Sequence, residues 1–325
     1  MIFKNSFHLL VDNFSMHYKM LLYKLIVGAI TLGLSAALLY PTLNTLFSSQ
    51  QFKDVADLLG GFVKSLFTGN TAYLETFGTQ LSDKTSVLLD YIRTNATDVV
   101  LFFLALVFVI LVSRFLSGLG NFAFGYLLDN KMSSYAKVSL TGALVSNAGK
   151  ASLWHLIYVP VTFVYDVVVL GICYAFFLVL LNIISVALIA SVVALMLSVT
   201  LYLASQAFKL TVFNGVVPAM VGDKLKLRAA LKKAFSFKKD RFWPLFSTYL
   251  VTAVFILCLN VLFALSSFGA ALLLTVPMSY MMLICIQFVS SYTYDRKKYF
   301  LTKDTIVKPE KEDDTGENFY DDFEI

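Results

Sequence analysis

Charge is what this sequence has least of. Only 14 % of its 325 residues are Asp, Glu, Lys or Arg, against about 25 % in soluble globular domains. A water-soluble globule of this composition would lack the polar surface to cover itself, so an integral membrane protein is indicated. Reactive side chains are scarce too. Three histidines leave little for acid–base or metal chemistry. Cys173, Cys258 and Cys285 each lie inside an apolar run. An odd number in such settings reads as packing, not as a disulfide or metal framework. There is no Gly-rich phosphate loop, no HExxH, no CxxC pair and no GxSxG, the patterns that would point to a named chemistry. The expectation is a protein that is not an enzyme and holds no cofactor or metal.

What is abundant is apolar sequence: 58 % of residues are hydrophobic and the mean hydropathy is +0.75. A membrane-spanning helix needs about 20 such residues. Six runs meet that length, at about 21–43, 99–119, 161–181, 186–208, 242–265 and 270–292. The third and fourth come from one uncharged stretch, read as a hairpin turning at Asn182–Ser185. The first run begins too late and is too long for a cleaved signal, and suits a retained anchor. Within it, Ala29, Gly33 and Ala37 make a small-residue face suited to close helix approach. Gly118, Gly120 and Gly125 are expected to loosen or bend the second span as it leaves the membrane.

Basic loops beside spans stay on the cytoplasmic side. Of the 26 Lys and Arg residues, 22 fall in segments 1–24, 114–150, 209–241 and 293–325. The expected fold is therefore an all-α integral membrane protein with six transmembrane helices and both termini cytoplasmic. Residues 1–19 read as an amphipathic interfacial helix. Phe3, Phe7, Leu10, Val11 and Phe14 form its apolar stripe, set either toward lipid or on the bundle's cytoplasmic end. Residues 44–97, with four basic residues and a net charge of −1, read as a helical extracytoplasmic insertion.

Segment 209–241 is a basic cytoplasmic elbow. It holds Lys209, Lys224, Lys226, Arg228, Lys232, Lys233, Lys238, Lys239 and Arg241 against Asp223 and Asp240. Helical periodicity over Asp223–Phe237 gathers Leu227, Ala230, Leu231, Ala234 and Phe235 on one arc. Lys226, Arg228, Lys232 and Lys233 fall opposite. Such a helix suits anionic phospholipid headgroups, each cation contributing roughly 1 kcal/mol. The expected lipid contacts are Lys224, Lys226, Arg228, Lys232, Lys233, Lys238, Lys239 and Arg241. Arg241-Phe242-Trp243-Pro244 reads as an interfacial anchor. A nucleic-acid partner is not expected.

Arg114 and Asp166 are the charges set deepest in the spans. Intramembrane ionisable residues are candidate functional sites and usually have partners. The two are expected to pair, either as a structural bridge or as part of a polar pathway. Pro160, Pro218 and Pro277 are candidate helix breaks. Segment 293–325 is an expected cytoplasmic tail. Its end, 310–325, carries Glu310, Glu312, Asp313, Asp314, Glu317, Asp321, Asp322 and Glu324 with Phe319, Tyr320 and Phe323 among them. That composition suits a solvated segment, or an acidic–aromatic docking peptide for a protein partner or for the chain's own elbow. The 44–97 insertion is a second candidate surface for a protein partner.

From Leu201 to Phe300 a span leads to Val216-Val217-Pro218 and Asp223. Lys-x-Lys-x-Arg-Ala-Ala-Leu-Lys-Lys-Ala-Phe, Arg241-Phe242-Trp243 and two spans follow. This layout resembles the membrane domain attached to some glycerophosphodiester phosphodiesterases and related uncharacterised bacterial membrane families. The resemblance covers under a third of the chain. No phosphodiesterase domain follows it, insertion 44–97 is not part of it, and no catalytic residue carries over. It implies a lipid-related polytopic protein of a bacterial cytoplasmic membrane. The functional expectation is a non-catalytic envelope or lipid-associated scaffold or accessory protein. The alternative is a small transporter or permease subunit with a polar pathway near Arg114 and Asp166.

Overall fold

The long apolar runs form helices because a chain segment surrounded by lipid must satisfy its backbone N–H and C=O groups internally. The computed structural model describes residues 2–94, 96–134, 138–183, 187–236, 239–302 and 304–308. Their helices are α1 (Ile2–Asp12), α2 (Phe14–Ser48), α3 (Gln50–Thr68), α4 (Thr71–Thr94), α5 (Ala96–Ser134), α6 (Leu140–Ile183), α7 (Ala187–Phe213), α8 (Val216–Val221), α9 (Leu227–Phe235), α10 (Lys239–Ser266) and α11 (Leu272–Tyr294). Strands β1 (Tyr299–Thr302) and β2 (Thr305–Val307) complete the set. Six stretches are long and apolar enough to cross a membrane: Phe14–Pro41, Val99–Ser134, Leu140–Leu181, Ile189–Val221, Arg241–Ser266 and Leu272–Tyr294. Outside α11 they present their aliphatic and aromatic side chains outward, as Leu101, Phe103, Leu104 and Phe108 do on α5. Exposed apolar surface on that scale belongs against lipid or protein, not water. This is the architecture of a helical multi-pass membrane protein.

Several helices outrun the expected spans. The second was expected to end near Leu119, but α5 continues unbroken to Ser134. Gly118 and Gly125 sit at close approaches. A side chain at Gly118 would collide with the His155 ring, and one at Gly125 would come within 2.8 Å of Phe288. The third was expected from Val161, but α6 starts at Leu140 and carries Pro160 in its interior. Pro277 likewise lies inside α11, and Pro218 lies within the short helix α8. Of the expected hairpin turn, residues 184 and 185 lie outside the described residues, as does the acidic segment 310–325.

The chain divides into two compact units. The first comprises residues 1–21, 120–151 and 207–325. Its centre is α11, half of whose most apolar stretch is buried, with Met281, Cys285, Phe288 and Val289 fully enclosed. Around it sit Phe122, Phe124, Leu128 and Met132 of α5, Met220 of α8, and Leu245 and Tyr249 of α10. Asn214, in the turn between α7 and α8, ties two helices together here: it donates to Ser290 of α11 at 2.9 Å and accepts from the Tyr249 hydroxyl of α10.

Helix α1 packs on α11, α10 and β1. The interfacial helix expected over 1–19 breaks at Asn13, whose side-chain amide donates to the Leu9 carbonyl at 2.9 Å and so competes with the helical bond. The buried arc of α1 is Asn5, Ser6, Leu9 and Leu10, while Phe7, Val11 and Phe14 of the expected stripe stay exposed. The helix is thus two-sided. The segment after α11 is ordered as well: β1 and β2 pair antiparallel, and Tyr299, 2 % exposed, accepts a hydrogen bond from Asn5 at 2.9 Å. This hairpin adds a small β element to the expected all-α fold.

The second unit comprises residues 22–119 and 152–206. Its α3–α4 hairpin turns at Gly69, whose φ of 69° is the left-handed conformation that glycine adopts without penalty. Phe62 stacks on Phe77 at 4.1 Å, and the Tyr73 hydroxyl donates to the Leu58 carbonyl at 3.0 Å. Elsewhere tyrosines bridge helices: Tyr23 donates to the Leu116 carbonyl and Tyr165 to that of Ser205, each at 2.7 Å.

Candidate functional site

Each unit holds one of the regions that the sequence singles out. In the second unit, α5 supplies Arg114 and α6 supplies Asp166. Arg114 Nη1 donates to Asp166 Oδ2 at 2.6 Å, while Gln206 Nε2 of α7 donates to Oδ1 at 3.1 Å. The aspartate side chain is 10 % exposed and the arginine side chain 38 %. The guanidinium also lies over the Phe163 ring, 5.7 Å from its centre. Three helices are thereby joined through one carboxylate with both oxygens engaged. A buried charge survives in an apolar setting only when paired and hydrogen-bonded, and both conditions hold. Nothing in the sequence pattern flagged Gln206. His155 is buried one turn along α6 from Val159, with its ring against Gly118.

In the first unit, the elbow forms a short basic helix. The periodicity suggests a start at Asp223 and an end at Phe237, but α9 spans Leu227–Phe235. Residues 223–226 are held instead by a tight closure of α8: Gly222 N–H donates to the Pro218 carbonyl at 2.7 Å and Leu225 N–H to that of Ala219 at 3.1 Å. This puts Lys224 in the left-handed region, at φ 56°. Helix α9 buries Ala230 and Ala234 and leaves Lys224, Lys226, Arg228 and Lys232 exposed around it.

Lys233 has a different setting from those four. Its ammonium donates to Asp223 at 2.7 Å and to Asp295 at 2.6 Å, and Lys297 donates to the other oxygen of Asp223. Its charge is spent on binding the elbow to the exit of α11. Burial alone would push the Asp223 carboxyl up, but the ammonium groups of Lys233 and Lys297 outweigh it and hold the carboxyl below its usual value. Burial likewise pulls the Lys233 ammonium down, and Asp223 and Asp295 more than reverse that. Nearby, Tyr292 donates to Asp129 at 2.9 Å. Arg241 is half-buried over the Tyr294 ring at 5.3 Å, and Trp243 is exposed. Lys239 opens α10, and Lys238 lies outside the described residues.

The sequence reading missed the anchoring role of Asp223, Asp295 and Lys297. The available signal was that Asp223 is one of only two acids in a strongly basic stretch. Among the described residues no group of three or more His, Cys, Asp or Glu is placed to hold a metal. An open groove of about 280 Å³ lined by Gln50, Gln51, Asp54, Asp83, Lys84 and Val87 lies on the α3–α4 hairpin. It is open and falls just below the roughly 300 Å³ at which sites that enclose small organic ligands begin. No family model, curated protein or solved structure matches the chain.

Proposed function

We propose that this chain is a non-catalytic lipid-associated scaffold or accessory protein of a bacterial cytoplasmic membrane, and that its elbow rests on anionic headgroups. The observation that carries the reading is the outward set of Lys224, Lys226, Arg228 and Lys232 around a helix that buries Ala230 and Ala234. Four exposed cations beside membrane spans match an anionic leaflet, at roughly 1 kcal/mol each near its surface. Lys224 adds a second support. An exposed lysine held at φ 56° costs about 1–2 kcal/mol that glycine would avoid. Strain kept at an exposed position points to use of the side chain. The elbow and both termini then face the cytoplasm, as the distribution of basic residues favours. The Phe7–Val11–Phe14 face of α1 lies toward the acyl boundary. The Arg114–Asp166–Gln206 linkage serves as a structural bridge in this reading, since a carboxylate with both oxygens engaged is poorly placed to carry a substrate or proton.

The test is a titration of purified full-length protein in detergent with short-chain phosphatidylglycerol or phosphatidylcholine, followed by thermal unfolding. A ligand that binds the folded state raises the unfolding temperature. Phosphatidylglycerol should raise it more than phosphatidylcholine, and the difference should shrink when Lys224, Lys226, Arg228 and Lys232 are all changed to Gln. Equal responses to the two lipids in the wild-type protein would remove the proposal.

A further inference from the structure

The charge of the elbow has a counterpart within the same chain. Residues 209–244 carry nine basic and two acidic residues, a net +7, while residues 310–325 carry eight acidic residues and Lys311, a net −7. The chain's overall +5 hides this segregation. The structure describes the chain up to residue 308, just before this segment. Asp295 and Lys297 are ion-paired to Lys233 and Asp223 of the elbow. The β1–β2 hairpin that follows is pinned through buried Tyr299. The chain just before Pro309 therefore belongs to the same unit as α9, because the hairpin brings Val307 back beside Tyr299, two residues after Lys297.

Reach is ample. Sixteen residues extend to about 50 Å at roughly 3.3 Å each, whereas the nine residues of α9 span about 13 Å. The receiving surface offers more than charge. Phe235 at the end of α9 and Trp243 at the start of α10 are both exposed beside the cations, matching the aromatic residues interspersed among the acids.

We infer that the acidic segment 310–325 docks on the exposed basic face of α9 in its own chain and competes there with anionic lipid. This rests on the reading of the elbow as a lipid contact and adds its regulation. A segment tethered this close acts at an effective concentration in the millimolar range. It therefore holds the cations when anionic lipid is sparse and yields them when lipid is dense. The contact pairs carboxylates with the exposed cations of the elbow, so salt weakens it.

The experiment uses the full-length protein in two forms: wild type, and a variant with every Asp and Glu of 310–325 changed to its amide. Zero-length carbodiimide coupling in zwitterionic detergent, read by peptide mass spectrometry, should join 310–325 to Lys224, Lys226 or Lys232 within the monomer at low salt. The same links should fade at high salt. In the phosphatidylglycerol titration the variant should bind more tightly, on the order of fivefold for a millimolar competitor, and without lipid it should unfold slightly earlier, since the docked tail stabilises the folded state. Absence of monomer cross-links, or cross-links confined to dimers, overturns the inference. So does equal lipid affinity in the two forms. If neither form distinguishes the two lipids, the lipid reading falls, and with it the competition inferred here. If both forms prefer phosphatidylglycerol to the same degree, the lipid reading stands and only the tail's competition is lost.

Discussion

Arg114 and Asp166 stand 52 residues apart in sequence and 2.6 Å apart in space. Their environments are unequal: the aspartate side chain is 10 % exposed and the arginine 38 %. Removing the cation strands a buried charge, which costs about 3 kcal/mol or more. Removing the anion leaves a guanidinium that can turn toward polar surroundings along its own stem. Arg114→Gln is therefore expected to lower the unfolding temperature in detergent more than Asp166→Asn, and the double variant to recover most of the loss. If instead stability is untouched while growth or uptake changes, the pair works in a polar pathway and the transporter reading gains.

Gly118 and His155 meet between α5 and α6. Ordinarily an interior helical glycine changed to alanine gains about 1 kcal/mol. Here the added methyl collides with the ring of a histidine that is 5 % exposed, and forced overpacking costs about 1–3 kcal/mol. Gly118→Ala should thus destabilise, and adding His155→Ala should restore the ordinary sign. A stabilising single substitution would show that the ring moves aside without cost.

How much of this was legible beforehand depends on the physical signal. Hydropathy reports residues that lipid must surround, so six apolar runs were readable. It does not report where a helix stops once it leaves lipid, so α5 and α6 extend 15 and 21 residues past the expected limits at 119 and 161. Glycine is ambiguous in sequence: at 118 and 125 the folded chain shows it at close packing contacts. The pairing of Lys233 and Lys297 with Asp223 joins elements without any shared periodicity, and only the folded chain brings them together. Asn13 shows the local counterpart: its backbone and side-chain N–H groups share the Leu9 carbonyl where α1 gives way to α2, in what reads as a continuous amphipathic helix.

Asp223 gives the elbow a defined pH response. Its carboxyl titrates below the ordinary 3.8 because the lysine ammonium groups outweigh its burial. A depressed carboxyl contributes stability that is present above 3.8 and lost as pH falls through the lower folded-state value. Lys233 titrates above 10.5, so its contribution is intact below 10.5 and lost at higher pH. Wild type should therefore exceed Asp223→Asn in stability by about 2 kcal/mol, after discounting for half-exposed lysines. That gap should be flat from about pH 4 to pH 10 and should close at both ends. Thermal unfolding across this range checks it. A gap that changes near neutrality would assign the effect to another group.

Lys224 sets backbone strain against charge at one position. Its φ of 56° suits glycine, and Lys224→Gly should stabilise the fold by about 0.5–1 kcal/mol, the relief being partly offset by the freer unfolded chain. The same substitution removes one of four exposed cations, which at roughly 1 kcal/mol near an anionic surface is about a fivefold loss of affinity. Lys226→Gln removes a neighbouring charge without relieving any strain, and should weaken phosphatidylglycerol binding to a similar degree with no gain in stability. The two measurements then separate the effects: unfolding temperature without lipid reads the strain, and the phosphatidylglycerol titration reads the charge. A Lys224→Gly protein that is more stable and binds lipid as before would mean that the lysine is not kept for the headgroups, and the support it lends to the lipid reading would be withdrawn.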